Sequence, residues 1–330
     1  MPNRVLLVED DDIQRQITTI LLSREGLRVT AVSDGLEAEQ ELASAPFDLV
    51  LLDINLPHRN GFEICEGIKR NPETRLIPVI LLTGYNDSES RMRGLHAEAD
   101  DFLAKPIDPI ELKTRIKNLL KRKQYTDEME HVEQVLVALG RSIEAKDPLT
   151  RGHCERISHL SVLFGKELGL DERELKALGI AGSVHDIGKV SVPDAILLKT
   201  TPLLPDEWEI MRLHPVAGER ICQPLRSMQL VTQIIRHHHE RWDGTGYPDG
   251  LKGTEIPLLA RVTQIVDIFD ALTSDRPYRA ALSIPDALAI MQEECERGWW
   301  DYDLFCRFRK LAQSDVVYEY VMGAERVQAH

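Results

Sequence analysis

The C-terminal half of the chain carries histidines and aspartates in combinations that suit metal chemistry. An adjacent His-Asp pair at a helix end presents a nitrogen and an oxygen ligand to one point, and such residues from several helices can complete a two-metal site. In that site one carboxylate can bridge the two ions, which stabilise the attacking and leaving oxygens of a phosphodiester without a nucleophilic side chain. The candidate ligands are His153, His185, Asp186, His214, His238, His239 and Asp267, with Asp186 as the bridge.

A second group of acidic residues lies in the N-terminal half. Glu9 and Asp10 follow one apolar run, and Asp53 follows another. Three converging carboxylates repel one another unless a hard cation lies among them, and Mg²⁺ suits this set. Asp53 can then accept a phosphoryl group as an acyl phosphate. Thr83 and Lys105, which follow two further runs, would contact the added oxygens.

The elements that must position these acids are short apolar runs separated by amphipathic stretches. This alternation predicts a doubly wound α/β fold with a five-stranded parallel sheet. Ligands of such sheets bind beyond the carboxyl ends of the strands, which is where the acidic residues stand. The runs cover residues 5–8, 29–32, 49–52, 78–82 and 102–104.

From about residue 125 onward helical periods replace the strand pattern, so an all-α domain is predicted. The expected boundaries are 1–122 for the α/β domain, 123–140 for a helical connector and 141–330 for the all-α domain. An apolar stripe along the connector suits either a dimer seam, which would make the protein a homodimer, or a helix face docked on the next domain. The stripe consists of Met129, Val132, Val135, Leu136, Leu139 and Ile143.

Composition excludes several classes of protein. The formal net charge of −14 argues against DNA or another nucleic-acid polyanion as the main partner. The five cysteines stand singly, which is typical of a reducing compartment rather than a disulfide framework. No apolar run has the length of a membrane span and no signal-peptide pattern opens the chain. We therefore expect a cytoplasmic protein that does not enter the membrane.

Residues 1 to about 120 resemble a response-regulator receiver domain. The resemblance rests on VLLVEDD, LLDINLP, LLTG and DFLAKP, in that order. It implies phosphorylation by a sensor histidine kinase, with Asp53 as the phospho-acceptor and Mg²⁺ as cofactor. It also implies a cis peptide bond between Lys105 and Pro106. The implied Mg²⁺ ligands are Glu9, Asp10, Asp53 and the carbonyl of Asn55, and the implied switch residues are Thr83, Phe102 and Lys105.

Residues from about 134 to 308 resemble the HD-GYP branch of the HD metal-dependent phosphohydrolases. The motifs are HDIGK, HHERWDGTGYPDG and DALTSDRPYR. The resemblance implies hydrolysis of cyclic di-GMP to pGpG, or onward to GMP, by two divalent metals, with iron or manganese favoured and zinc admitted. One metal would be held by His153, His185 and Asp267, the other by His214, His238 and His239, with Asp186 shared.

The same resemblance implies a set of substrate contacts. Lys189 would hold a phosphate oxygen or assist the leaving group, while Arg276 and Arg279 would clamp phosphates. Gly246, Tyr247 and Pro248 would shape a loop over the nucleotide. Some similar proteins have a glutamate four residues before the first ligand histidine and bind a third metal; Leu149 stands at that position here, so two metals are predicted.

Two other functions stay open beside the hydrolase. The first is a cyclic di-GMP sensor or protein-docking module with little turnover, which would not need seven ligand residues. The second is a phosphodiesterase for another cyclic dinucleotide, which competing-substrate rates would reveal. The residues alone indicate metal-assisted phosphodiester hydrolysis, and the substrate follows from the resemblance.

Overall fold

A computed structural model describes residues 2–84, 93–94, 96–146, 152–275 and 279–320. Leu149 and Arg276 therefore lie outside the described residues. The chain divides into two compact units, Met1–His131 and Val132–His330, and the division falls inside the predicted connector. In the part of the chain that the structure describes, no helix has the length and apolar character needed to cross a membrane.

The first unit contains a five-stranded parallel sheet in the order β2-β1-β3-β4-β5, which confirms the predicted α/β fold. Most residues of β1, β3 and β4 are buried valine, leucine or isoleucine, as expected for parallel strands that are covered on both faces. The strands are β1 Arg4–Val8, β2 Arg28–Val32, β3 Leu49–Asp53, β4 Val79–Thr83 and β5 Asp101–Ala104.

Helices of this unit begin at polar caps that follow the strands. The side chains of Asp11, Asp34 and Asn60 accept backbone N–H bonds at the starts of three helices. Asp11 is thereby occupied as a cap, which leaves Glu9 and Asp10 for the edge of the sheet. The helices are α1 Asp12–Arg24, α2 Gly35–Ser44, α3 Gly61–Arg70 and α4 Pro109–Glu144, which ends in the second unit.

The described part of the second unit is mostly helical, as predicted. Its helices after α4 are α5 His153–Leu168, α6 Glu172–Val184, α7 Asp194–Leu197, α8 Pro205–Met211, α9 His214–Cys222, α10 Gln229–His237, α11 Leu258–Thr273, α12 Ile284–Glu296 and α13 Tyr302–Ala312. Short 3₁₀ turns cover Ile187–Ser191, Arg226–Met228 and Gly253–Glu255.

The core of the second unit is formed by aromatic and aliphatic side chains from these helices. Phe164, Phe269 and Phe308 are fully buried, and the ring of Phe308 meets the other two edge to face. The helix α11 is buried over most of its length, so the polar residues it carries are held in fixed positions.

The apolar stripe of the connector serves the core in part. Leu136 is buried in the core of the second unit, and Val132 and Ile143 pack against it. Val135 and Leu139, on the same stripe, are exposed. Gly140 lies so close to the end of α6 that a Cβ there would overlap the carbonyl oxygen of Ser183. One side of the stripe is therefore a docked helix face.

Candidate functional site

Most of the predicted histidines and aspartates of the second unit stand at helix ends, and Asp267 lies inside α11. His153 opens α5, His214 opens α9, and the His185-Asp186 pair follows α6 directly. Gly188, in the turn after that pair, packs against the start of α9: a Cβ on it would overlap the carbonyl oxygen of His214. The absence of a side chain at Gly188 lets the two ligand segments approach each other.

These residues form two groups of close donor atoms. His153, His185 and Asp267 form one group, and Asp186, His214, His238 and His239 form the other. Within each group the donor atoms lie within 4.8 Å of one another. The seven predicted ligands are thus brought together, in the division that the sequence analysis expected.

Asp186 lies between the two groups. Its Oδ2 is 3.5 Å from Nε2 of His185, and its Oδ1 is 3.2 Å from Nε2 of His214. Burial acts to raise the pKa of Asp186, but the opposing effects, of which the charge of Lys189 is the largest, hold the pKa well below the usual range. Both oxygens therefore carry negative charge, and each faces a different group of imidazoles.

The imidazole nitrogens of the second group are oriented toward a cation. Nδ1 of His214 lies 2.9 Å from the carbonyl oxygen of Met211, and Nδ1 of His238 lies 2.7 Å from that of Ile235. A carbonyl oxygen can only accept, so the neutral form of each ring carries its proton on Nδ1 and leaves a lone pair on Nε2. The two Nε2 atoms face each other at 3.4 Å. His214 and His238 would therefore hold a cation through these nitrogens, which would relieve the repulsion of the lone pairs.

His185 gives an independent test of whether a metal fits. Its Nδ1 lies 3.1 Å from the carbonyl oxygen of Gly182, while its Nε2 is buried and has no hydrogen-bond partner among the described residues. Burial lowers the pKa of His185 and lowers those of His238 and His239 well below the usual range, so all three are neutral at pH 7. Neutral imidazoles with free Nε2 atoms fit a metal centre.

A carboxylate supports His153 from behind. Nδ1 of His153 lies 2.7 Å from Oδ2 of Asp270, and the guanidinium of Arg156 donates to both oxygens of the same carboxylate. Burial acts to lower the pKa of His153, but the hydrogen bond and charge of Asp270 outweigh it, so that the pKa is raised. His153 thus differs from His185, His214 and His238, whose Nδ1 atoms face backbone carbonyls.

The loop after His239 is organised by a buried glutamate. Glu240 is fully buried, and its carboxylate accepts the backbone N–H groups of Asp249, Gly250 and Leu251 at 2.7, 3.1 and 3.1 Å. Gln264, a residue of α11, donates from its side-chain amide to the backbone carbonyl of Glu240. The loop that contains Gly246, Tyr247 and Pro248 is therefore tied to the helix that carries Asp267.

Tyr247 connects this loop to the metal-ligand cluster. Its ring stacks on that of His239 with the centroids 4.9 Å apart. Burial, together with the charges of Asp186 and Asp267, raises the pKa of the Tyr247 hydroxyl, which stays protonated near neutral pH. His237 directly precedes His238 and His239 in the sequence. Its Nε2 lies 3.1 Å from Oδ2 of Asp249, and it belongs to neither ligand group.

A cavity of about 680 Å³ opens beside the cluster. That volume lies in the range of small-ligand sites. Its lining includes three of the metal-ligand candidates, two residues of the predicted loop and several residues that the sequence analysis did not single out. The metal-ligand candidates are His238, His239 and Asp267, and the loop residues are Gly246 and Tyr247. The additional lining residues are Trp208, Glu209, Arg212, Arg241 and Trp300.

Three further polar residues of the second unit have defined contacts. The ammonium of Lys189 lies 2.6 Å from Oδ2 of Asp186, beside the metal-ligand cluster. Arg279 donates to the carbonyls of Ala271 and Leu272 at the end of α11 and does not line the cavity. Its contact with a phosphate stays a prediction. Glu144 accepts the backbone N–H of Cys154 at 3.3 Å.

In the first unit the predicted acids meet at the carboxyl edge of the sheet. Glu9, Asp10 and Asp53 place one oxygen each within 4.8 Å of the others. Lys105 donates to Asp53 at 2.7 Å and to Glu9 at 2.9 Å. Burial raises the pKa of Glu9, and the charge of Asp53 adds to the effect. Two of the three carboxylates share the Lys105 ammonium, and the oxygen-only donor set of all three fits Mg²⁺.

The remaining receiver residues lie near this edge. Thr83 ends β4 and is buried, and its carbonyl oxygen accepts the backbone N–H of Lys105 at 2.8 Å. The backbone N–H of Asn55 donates to Asp53 at 3.3 Å. Phe102 is half-buried in β5, and the Lys105–Pro106 peptide bond is cis, as the resemblance implied.

Sequence reasoning missed the residues that support the metal-ligand cluster. Asp270 stands three residues after Asp267, and that spacing on one helix was a usable signal for a shared face. Glu240 follows the histidine pair directly. Arg156, Arg212 and Arg241 stand two or three residues from His153, His214 and His239, but the sequence does not show which neighbours of a ligand residue face the site.

Both halves of the chain match known families. Residues 5–117 match the response regulator receiver domain, and residues 137–304 match the HD domain. The chain belongs to the response regulators that join an N-terminal receiver domain to a C-terminal HD-GYP domain, the cyclic di-GMP phosphodiesterase family.

Three curated proteins illustrate the likeness. The chain is 38% identical to the cyclic di-GMP phosphodiesterase response regulator RpfG of Xanthomonas campestris pv. campestris, over 80% of this chain and 76% of the relative. It is 34% identical to the cyclic di-GMP phosphodiesterase of Thermotoga maritima, over 86% and 83%. It is also 40% identical to the 3'3'-cGAMP-specific phosphodiesterase 3 of Vibrio cholerae, over 49% of this chain and 35% of that protein.

Proposed function

We propose that this protein is a phosphorylation-regulated phosphodiesterase that hydrolyses cyclic di-GMP to pGpG, or onward to GMP, with two divalent metals. The observation that carries the proposal is the position of Asp186, whose two oxygens face different groups of imidazoles beside an open cavity. The substrate is supported by the relatives, two of which are named cyclic di-GMP phosphodiesterases.

In this proposal His153, His185 and Asp267 hold one metal, and His214, His238 and His239 hold the other. When bound, two divalent cations lower the pKa of water and stabilise charge on the phosphodiester oxygens. Imidazole-rich donor sets suit iron and zinc, and the family resemblance favours iron or manganese.

The protein's own residues then orient the substrate and exclude water. Asp186 stays ionised and holds the two ligand groups in register. The ammonium of Lys189, 2.6 Å from Oδ2 of Asp186, stands beside the metal-ligand cluster and would contact a phosphate oxygen there or protonate the leaving oxygen. Tyr247, stacked on His239, covers that imidazole from the side of the cavity.

The first experiment measures turnover of cyclic di-GMP by protein reconstituted anaerobically with Fe²⁺, Mn²⁺ or Zn²⁺, beside an Asp186→Ala variant. We expect linear product from the wild type and none from the variant. Binding of cyclic di-GMP without product in any metal would reject the hydrolase and favour the sensor. That result would leave the metal-ligand geometry without a catalytic use.

Because the chain is similar to a 3'3'-cGAMP-specific enzyme, 3'3'-cGAMP is a second candidate substrate. Both cyclic dinucleotides carry the same two phosphodiesters, so the metal centre does not distinguish them. Rates measured with the two substrates in competition decide between them. A kcat/KM for 3'3'-cGAMP above that for cyclic di-GMP would transfer the proposal to the hybrid nucleotide.

We further propose that a sensor histidine kinase phosphorylates Asp53 and that Mg²⁺, held by Glu9, Asp10 and Asp53 with the carbonyl of Asn55, is required. Thr83, Phe102 and Lys105 act as the switch. Intact-protein mass spectrometry after treatment with acetyl phosphate and Mg²⁺ tests this. The wild type is expected to gain one phosphoryl group and Asp53→Asn none.

The exposed side chains of the connector support a homodimer in which Val135 and Leu139 of two copies meet. A Leu139→Lys variant would then be monomeric by light scattering while the wild type is dimeric. An equal mass for both would reject the seam. The buried thiols of Cys65, Cys154, Cys222 and Cys295 suit the proposed cytoplasmic location.

A further inference from the structure

The cavity beside the metal-ligand cluster contains two arginines that the metal chemistry does not require. Arg212 follows α8, and Arg241 follows the His238-His239 segment; both line the cavity with Tyr247 and Asp267. Because the chain has a net charge of −14, an anionic ligand needs cationic side chains close to its binding site. Their surroundings show what they are available to bind.

Aromatic rings hold both guanidinium groups by their faces. Cζ of Arg241 lies 3.9 Å from the ring centroid of Trp299, and Cζ of Arg212 lies 5.5 Å from that of Tyr247. A ring over the flat face of a guanidinium restrains the side chain and leaves the N–H donors at its edge free for an oxyanion.

Carboxylates compete only weakly for these donors. Among the described residues, the ion pairs include none for Arg241 and one for Arg212, in which the nearest atoms of Arg212 and Glu209 are 3.7 Å apart. Glu209 is 76% exposed, and such a surface pair contributes little. Arg236 is different, because it is paired with both Glu219 and Asp249 and is committed to the protein itself.

A cyclic dinucleotide has two phosphodiester groups, and hydrolysis at the metal centre engages one of them. The other must also leave water when the ligand enters the cavity, and Asp267 and Glu209 in the same lining would repel it. The Tyr247 ring lies between the two sets of charges, since it stacks on His239 at 4.9 Å and faces the guanidinium of Arg212 at 5.5 Å.

We propose that Arg212 and Arg241 form a second anion-binding subsite, which holds the phosphodiester that is not being hydrolysed. The inference rests on the proposed function. In this arrangement the metal-ligand cluster binds the phosphodiester that is hydrolysed, and the two arginines on another side of the cavity bind the phosphodiester that is not. The subsite favours substrates with two phosphodiesters over those with one.

The test compares kcat/KM for cyclic di-GMP with kcat/KM for bis(p-nitrophenyl) phosphate, which has a single phosphodiester. The variants are Arg212→Gln and Arg241→Gln. The matched control is Arg297→Gln, because Arg297 lies 5.6 Å from the same Trp299 ring, has a similar surface pair with Glu293 at 3.7 Å, and lies outside the cavity lining.

We expect the ratio of the two kcat/KM values to fall about 10- to 100-fold in each subsite variant, since a charge-assisted contact is lost in each. The control variant should retain the wild-type ratio. A wild-type ratio in either subsite variant overturns the proposal. An equal loss of kcat/KM on both substrates also overturns it, because that loss would mean that the arginines support the metal centre or the fold.

Equilibrium binding of cyclic di-GMP separates this proposal from the hydrolase. If the wild type binds cyclic di-GMP without turnover, the hydrolase is rejected, and the affinities of the variants decide the subsite: about tenfold weaker binding supports it, and unchanged binding overturns it. If the wild type does not bind cyclic di-GMP in any metal, both proposals fail.

Discussion

The two units hold cation-binding geometries of opposite kinds. In the receiver, Glu9, Asp10 and Asp53 offer only oxygens, and the ammonium of Lys105 lies among them at 2.7 and 2.9 Å. In the HD unit, five imidazoles and two carboxylates converge, and three Nδ1 atoms face backbone carbonyls. The first set suits a cation that exchanges readily, and the second suits resident transition metals.

Burial affects the ionisable ligands of the two sites differently. In the receiver, burial raises the pKa of Glu9, so that an arriving Mg²⁺ or a neighbouring ammonium decides its charge. In the HD unit, burial keeps His238 and His239 neutral, so that the ligands are ready before the metal arrives. One site is arranged for switching and the other for holding.

The largest expected effect separates the two sites by metal removal. After exhaustive treatment with a strong chelator, cyclic di-GMP turnover should fall roughly 10³-fold or more, because both cations that stabilise charge are gone. Added Mg²⁺ should restore phosphorylation of Asp53 but not turnover, and Mn²⁺ or Fe²⁺ should restore turnover. Recovery of turnover with Mg²⁺ alone would erase the distinction.

The next effect concerns the carboxylate behind His153. Asp270→Asn keeps the shape but loses the charge, so metal affinity at the group of His153, His185 and Asp267 should fall about 10- to 100-fold. Metal content after dialysis is then expected to drop from two ions per chain toward one, by elemental analysis.

A matched control for Asp270→Asn is Asp301→Asn. Asp301 is another buried aspartate, paired with Arg261, and it contacts none of the ligand histidines. Equal metal content in the two variants would show that Asp270 supports the fold rather than the metal position.

A smaller effect concerns the close approach of the HD turn to α9. In Gly188→Ala the new Cβ would overlap the carbonyl oxygen of His214, and the free energy of unfolding of this unit should fall by about 1–3 kcal/mol. The four tryptophans, at 208, 242, 299 and 300, all lie in the second unit, so their fluorescence during urea unfolding follows that unit alone. A wild-type midpoint would contradict the close packing.

The smallest expected effect comes from a glycine-to-alanine substitution in the receiver, which should stabilise its unit rather than destabilise it. Gly67 lies inside α3, and a Cβ there meets nothing within 4 Å. Gly67→Ala should therefore stabilise the first unit by about 0.5–1 kcal/mol, because alanine loses less backbone entropy in a helix. Circular dichroism should show the shift while tryptophan fluorescence does not. Destabilisation would mean that α3 is packed more tightly than the contacts of Gly67 indicate.

Much of both sites was readable from the sequence because their ligands stand in short local patterns. The apolar runs place Asp53 and Thr83 at strand ends, and adjacency alone marks His185-Asp186 and His238-His239 as ligand pairs. The fold class followed from short apolar runs in the first unit and helical periods in the second, and both patterns depend on near neighbours only.

Tertiary structure decided what depends on distant segments. His153 and Asp270 are 117 residues apart, and the fold alone pairs them. Arg212 and Arg241 line the cavity while Arg279 bonds to the end of α11, although all three are arginines close to recognisable motifs. A local pattern specifies which residues are present, but the packing of helices decides which of them share a cavity, and that packing is a property of the whole core.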